Sequence, residues 1–543
     1  MKCSRLRNRD RYLEEAMVFR DTDLIKVITG VRRCGKSSLL DLIRMTIESE
    51  GVAGRGFVSV NLESKGTGIK TEDQLYDYVR GCLSDKGRTY VFIDEPQRIE
   101  GWQDAVNAMR VDFDCDIYLT GSNAYLLSSE LATYLSGRYV EVKMLPLSFS
   151  EFADFCGIEF VSGSSVALTP EGDPVLFDDM LTRYLEYEGM PAIASLSTTQ
   201  AQHSAYMSGV YEAIAVRDIV NRERGKGKSA VTDPYLLRHV AAFLADNIGN
   251  ECSSNRIAGA LTSAGSKTTN KTVSSYVDAL EEAFLFYRAT RYDLHGKALL
   301  KTNPKEYIVD TGFRTWMAGY RVTDTGRLFE NAVYLQLLYE GWSVHVGKLY
   351  GKEVDFVATK DGRVLYVQAT DEMFASETRE REIASLKSIR DNHEKIVVVR
   401  QGSYDTDIDG IRILSARDFS SRAMRFIAKP LGQVGDNAPL HLAHLQGLSL
   451  DSCRLAGNRL RPQGPQKLFA GYGAPLRKLE PSGFCFPPCT HANPVGMRAT
   501  RRATRAGREL RRTSTPRPRR ALGSTSSAGA SRFWRKTGRA AVT

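Results

Sequence analysis

The chain has 543 residues, 42% apolar and 25% charged, enough to bury several packed cores. No apolar run approaches the roughly 18 residues of a membrane helix, the amino terminus lacks an apolar signal-peptide core, and nine scattered cysteines form no disulfide framework. A membrane protein and a disulfide-stapled secreted domain are thereby excluded, and the cytoplasm is the expected location.

The net charge of +10 is unevenly placed. Residues 431–543 hold 20 Lys/Arg against 4 Asp/Glu, which leaves 54 against 60 in residues 1–430. Overall basicity therefore says nothing about nucleic-acid binding by the folded part.

In chain order, residues 1–20 predict a short charged helix. The apolar run Leu24–Ile28 predicts a buried strand, and Ser38–Ile43 continues with helical periodicity. Between them, Gly30-Val31-Arg32-Arg33-Cys34-Gly35-Lys36-Ser37 matches GxxxxGK(S/T) at every fixed position. Gly30 and Gly35 let the backbone aim successive N–H groups at a phosphate, with Ser38 opening the helix behind them. Lys36 is placed to reach the β- and γ-phosphates of ATP, and the Ser37 hydroxyl to hold Mg²⁺. Arg32 and Arg33 are unusual in such a loop and suit phosphate or an acidic partner; Cys34 is read as a small residue.

Four further apolar segments follow, at 56–62, 89–94, 116–120 and 139–142, separated by amphipathic helices. Short, fully apolar strands alternating with helices predict a parallel sheet covered on both faces. The third of these five strands ends in Asp94-Glu95. Asp94 is the expected second metal group and Glu95 the residue that polarises the attacking water. Thr120 and Asn123, at the end of the next strand, are both candidates for a γ-phosphate sensor, with Asn123 preferred. Arg138 is the candidate arginine finger, acting in cis or from a neighbouring copy in a homo-oligomer.

Residues 1–155 are thus expected to form the ATPase core and 156–230 a helical lid. Residues 231–295 read as a winged helix. Val273, Tyr276, Val277 and Leu280 mark one face of its third helix, a strand over 285–292 forms the wing, and Lys267 and Lys271 lie on a polar edge suited to DNA. Residues 296–430 form a second α/β region, and 431–543, rich in Pro, Gly, Arg, Ser and Ala, are expected to be disordered.

In the second α/β region, Asp361-Gly362 predicts a two-residue hairpin turn. Centring the hairpin there sets Asp355 opposite Gln368 and Glu353 opposite Thr370, all on one face, with Glu330 arriving from the preceding helix.

The segments GVRRCGKSS, VFIDEPQRIEGW, YLTGSN, LSGR, LPLSFSEF, YLEYEGMP, AVRDIV and VDTGF occur in an order that resembles bacterial and archaeal AAA-type ATPases carrying a C-terminal endonuclease-like domain of unknown function. The resemblance spans roughly residues 10–428. It implies a P-loop fold with lid, winged helix and C-terminal domain, and no defined substrate. The hairpin resembles the restriction-endonuclease-like fold, whose active members place Asp, then Glu or Gln, then Lys at the counterparts of Asp355, Gln368 and Thr370. A threonine cannot supply the lysine's charge, so an inactive domain that binds nucleic acid or protein is expected, with Lys352 a candidate to substitute spatially. The expected activity is Mg²⁺-dependent ATP hydrolysis coupled to movement of the winged-helix and C-terminal regions. The rival readings are a nucleotide-binding switch with little turnover and an ATP-gated nuclease.

Overall fold

The computed structural model describes residues 6–420 except 52–55, 125–134, 136, 162–163, 188, 196–198, 221–230, 297, 350 and 403–405. The basic tail expected to be disordered lies outside the described residues.

The amino-terminal part is built on a five-stranded sheet in the order β2-β3-β4-β1-β5: β1 Ile25–Thr29, β2 Gly56–Asn61, β3 Thr89–Asp94, β4 Cys115–Gly121 and β5 Tyr139–Lys143. Every pairing is parallel, as the apolar runs predict. All residues of β1, β3 and β4 are buried, whereas the edge strands β2 and β5 are partly exposed. One face packs Ile25, Val27, Val91 and Ile93 under helices Glu72–Gly81 and Trp102–Asp112. The other packs Ile28, Tyr90, Phe92 and Tyr118 under helices Asp10–Met17 and Lys36–Ser49.

One residue departs from the apolar pattern of β1. Lys26 is fully buried and paired with the fully buried Asp116 of β4. Asp116 also accepts hydrogen bonds from the Asp21 backbone N–H and the Tyr118 hydroxyl. Burial pulls the lysine's pKa down and Asp116 opposes that pull, which is how an amine persists in this strand.

Helix Phe149–Cys156 closes the expected core, and the segment expected to be a helical lid contains helices Phe177–Tyr187, Pro191–Ala194 and Gln200–Glu212 and also a small antiparallel sheet. Its strands β6 Glu159–Phe160, β7 Val166–Leu168 and β8 Pro174–Leu176 are two or three residues long, too short for a period-two pattern to declare itself. Helix Gln200–Glu212 runs into a π-helical turn, Ala213–Val220.

Three helices follow, Pro234–Asp246, Ser254–Ser263 and Asn270–Glu282, and then an antiparallel hairpin of β9 Phe286–Asp293 and β10 Ala298–Ile308. This hairpin is no isolated wing. β9 pairs in parallel with β11 Ser343–Leu349, so the hairpin is the edge of an eight-stranded sheet. The sheet continues through β12 Lys352–Lys360, β13 Arg363–Glu372, β14 Glu394–Gln401, β15 Asp407–Ile408 and β16 Ile411–Ser415, in the order β10-β9-β11-β12-β13-β14-β16-β15. β12 and β13 pair Phe356 with Val367 and Lys360 with Arg363, the register that a turn centred on Asp361-Gly362 dictates. Helix Thr325–Tyr339 covers one face of this sheet and helix Ser376–Lys387 the other. No helix among the described residues is long and apolar enough to cross a membrane.

Candidate functional site: a phosphate loop facing an acidic strand end

β1 delivers the chain to Gly30, whose φ of +150° and close neighbours admit no side chain: a Cβ there would lie 2.1 Å from the Met144 carbonyl oxygen. Gly35, at φ +108°, forms the N-cap of helix Lys36–Ser49 with no side-chain cap, so the helix's first N–H groups are left for a ligand. Val31 and Cys34 are buried beneath the loop and anchor it. The Lys36 ammonium folds back to donate to the Gly30 and Val31 carbonyls, at 3.0 Å each. A phosphate oxygen would compete for those donors.

The acidic end of β3 faces this loop. The Ser37 hydroxyl donates to Asp94 at 2.9 Å, and Asn61 Nδ2 donates to the same carboxylate oxygen at 2.9 Å. The Thr120 hydroxyl donates to the other Asp94 oxygen and accepts the Glu95 backbone N–H at 3.1 Å. Glu95 sits in the left-handed region, at φ 60°, so its side chain leaves the strand direction and turns beside Asp94. Burial raises its carboxyl pKa; Lys36 pulls it down and Asp94 pushes it further up. A hydroxyl and a carboxylate held together are the hard oxygen donors that Mg²⁺ takes, so Ser37 and Asp94 suit that ion.

Arg32, Arg33, Gly35, Lys36, Ser37, Ser38, Asp94 and Glu95 all line one cavity of about 860 Å³. Its far wall is built from elements the motif gave no hint of: Arg7 and Arg9, Phe155, Pro191, and Tyr206 and Gly209 of helix Gln200–Glu212. Arg33 lies over the Tyr206 ring, 5.9 Å from its centroid. Arg9 is buried, pairs with Glu151 at 2.7 Å, and donates to the Cys34, Leu145 and Pro146 carbonyls. It ties the phosphate loop to the segment that opens helix Phe149–Cys156.

Two expected site residues stand elsewhere. Asn123 is buried and does not line the cavity; its Nδ2 donates to the Asp218 carbonyl at 3.2 Å, whereas Thr120 is the sensor candidate that touches Asp94. Arg138 precedes β5, beside Ile25, and its guanidinium meets Asn107 at 3.1 Å. It therefore lies at the opposite end of the sheet from the loop, roughly 15 Å away at about 3.3 Å per strand residue. Since β1 and β5 run parallel, this rules out the cis role, and only a contribution to a neighbouring copy is left to it.

The second cluster is on β12 and β13. The Asp355 backbone N–H donates to Gln368 Oε1 at 3.4 Å, and an Asp355 carboxylate oxygen accepts the Ala369 N–H at 2.9 Å. Thr370 turns to the Glu372 carbonyl. Lys352 points away, donating to Ala384 and Ser388, so it does not replace the absent lysine. Lys305 of β10 does reach the acids: it is buried, 3.2 Å from Glu330 and 2.6 Å from Glu353, and it acts on Asp355. Arg291 of β9 takes the remaining side of Glu353 at 2.5 Å. Lys305 and Arg291 thus pair with Glu330 and Glu353, while burial, followed by the charge of Glu330, holds the Asp355 carboxyl well above the ordinary carboxylate range. No group of three or more His, Cys, Asp or Glu among the described residues is arranged to hold a metal.

A family profile described as an AAA domain matches residues 22–153, and a profile described as a domain of unknown function matches 178–324, across the divisions read from the sequence at 230 and 295. An uncharacterized protein of Haemophilus influenzae is 40% identical over 414 residues, covering 76% of this chain and 98% of that protein. An uncharacterized protein of Methanocaldococcus jannaschii is 28% identical over 377 residues, covering 68% of this chain and 79% of that one. Among solved structures, the Thermotoga maritima RuvB Holliday junction branch migration motor is similar at 15% identity and a TM-score of 0.26, covering 52% of this chain and 90% of that one.

Proposed function

We propose that the chain, which belongs to the family of that Haemophilus influenzae protein and matches the AAA domain profile at residues 22–153, is an Mg²⁺-dependent ATPase. The observation that supports this most directly is the meeting of Lys36, Ser37, Asp94 and Glu95 around one cavity, with the Ser37 hydroxyl on the Asp94 carboxylate. Lys36 and the first N–H groups of its helix bind the β- and γ-phosphates, while Ser37 and Asp94 hold the metal ion. The ion, when bound, neutralises charge that develops on the phosphates. Glu95 orients the attacking water and accepts its proton, and Thr120 holds the Glu95 backbone in place. Arg138 supplies its charge to a neighbouring copy in a homo-oligomer.

Hydrolysis moves the lid region and the three-helix region, read as a winged helix, together with the endonuclease-like sheet. We take DNA or a protein as the partner of these parts. The ion pairing of Glu330 and Glu353 beside Asp355 favours a docking role over phosphodiester cleavage.

Lys36→Ala is expected to weaken ATP binding by more than about tenfold, read by titration calorimetry, because the loop loses its one aliphatic ammonium. Glu95→Gln should bind ATP normally and lose turnover by about 10²-fold or more. Normal turnover in that variant would remove Glu95 from the reaction, and negligible turnover by the unmodified chain with and without DNA would favour a switch.

A further inference from the structure

The phosphate loop carries one arginine whose partners come from outside the sheet. Arg32 Nη1 donates to Asp218 Oδ1 at 3.1 Å, and Nη2 donates to Glu63 at 2.8 Å, which Arg98 also contacts at 2.8 Å. Asp218 lies in the π-helical turn Ala213–Val220, and its backbone carbonyl takes the Asn123 side chain. One residue of the lid region therefore holds both a phosphate-loop arginine and the candidate sensor that follows β4. The turn is itself a departure from regular structure. π-turns are rare and occur frequently at functional sites.

Arg32, Glu63 and Glu95 line the cavity beside Lys36, and so do Gly209 of the helix that runs into this turn and Ala213, the turn's first residue. Ile214, Ala215, Ile219 and Val220 are buried, and the turn packs against helix Pro234–Asp246, the first of the three-helix region. Arg32 is balanced by two carboxylates, at a side-chain exposure of 13%. A γ-phosphate entering beside Glu95 upsets that balance in two ways. It competes for the guanidinium with a higher charge and a bidentate edge, and it repels Asp218.

We propose that Asp218 is the sensor through which the lid region distinguishes a nucleoside triphosphate from a diphosphate. Without a γ-phosphate, Asp218 holds Arg32 and the π-turn is latched to the loop. With it, Arg32 transfers to phosphate, the pair opens, and the turn is released toward helix Pro234–Asp246. Asp218 is a positioning residue, acting on phosphate only through Arg32. This inference rests on the nucleotide reading above.

The test uses the full chain, ADP, and a non-hydrolysable ATP analogue with Mg²⁺. Hydrogen exchange of residues 213–220 should be faster with the analogue than with ADP. Asp218→Asn, which removes the competing charge at constant size, should tighten the analogue at least about fivefold, the low end of ordinary coupling between sites, and leave ADP within about twofold. Asp218→Glu, which restores the charge, should return the wild-type ratio. Equal shifts for both nucleotides in Asp218→Asn, or identical exchange of 213–220 in the two wild-type complexes, would overturn the sensor. Binding of neither nucleotide by the wild-type chain would instead overturn the ATPase reading on which it stands. The exchange comparison needs no variant, so a misfolded Asp218→Asn does not protect the proposal.

Discussion

The conformation of single residues decides what the phosphate loop tolerates. Gly30 is needed for two independent reasons, a positive φ and a backbone oxygen where a Cβ would stand. A backbone carbonyl cannot rotate aside as a side chain can, so Gly30→Ala must shift the loop against β5 or the segment behind it. The expected outcome is a loss of ATP affinity of about tenfold or more together with a lower melting temperature. A variant with unchanged affinity would mean that the loop reshapes on binding. Glu281 offers a second test at this scale. It lies with Glu306 around Arg288, and burial, followed by the charge of Glu306, pushes its carboxyl from an ordinary 4.5 up to about 9. Between those values the folded chain binds more protons here than the unfolded chain, so stability falls as pH rises through that window. Glu281→Gln should flatten the decline in melting temperature between pH 5 and 9, and an unchanged slope would show that this carboxyl is not the titrating group.

Among elements, the sheet that carries the loop depends on a polar pair within an apolar layer. Asp116→Ala would strand the Lys26 ammonium with neither water nor partner, and breaking one side of a buried pair typically costs about 3–5 kcal/mol. Chemical denaturation should show that loss, while Lys26→Met with Asp116→Asn should recover most of it. The strand itself was legible because its neighbours in sequence are apolar on both faces; the partner of Lys26 was not, since a β1–β4 pairing joins residues 90 positions apart. The same distinction runs through the site. The loop and Asp94-Glu95 could be read from local motifs, and the β12–β13 register followed from one Asp-Gly turn. Arg9, Asn61, Asp218 and Lys305 could not be found that way, because each reaches its partner through the tertiary fold. The position of Arg138 was legible and went unused: it directly precedes β5, and in a parallel sheet the residue before a strand lies at the end opposite a loop that follows one.

Across the described residues, the parts read from sequence as separate domains contribute to one continuous core, beside which one face of the five-stranded sheet and one face of the eight-stranded sheet each keep a smaller core of their own. Buried residues run without interruption from Tyr12 and Ile28 through Leu237 and Val273 to Phe356 and Val398. Tyr12 meets Tyr339 edge to face at 5.9 Å, joining the first helix of the chain to the helix over the eight-stranded sheet. A fragment of residues 231–295 should therefore fail to fold alone, since it keeps β9 but loses both of its neighbours, β10 and β11, and leaves two unpaired strand edges. A fragment of 231–420 retains the sheet and should give a cooperative melt. Sharp dispersed amide resonances from 231–295 alone would contradict this view of the hairpin.

On the proposed ATPase reading, that hairpin also bears on how a movement at the cavity would reach the rest of the chain. β9 joins the three helices to the sheet and is stitched along both sides by hydrogen bonds, so a swivel within β9 would have to break them. A push at helix Pro234–Asp246 would then tilt the eight-stranded sheet as one piece, out to its far strand β15. A small tilt at the nucleotide end becomes its largest displacement at the edge farthest from it.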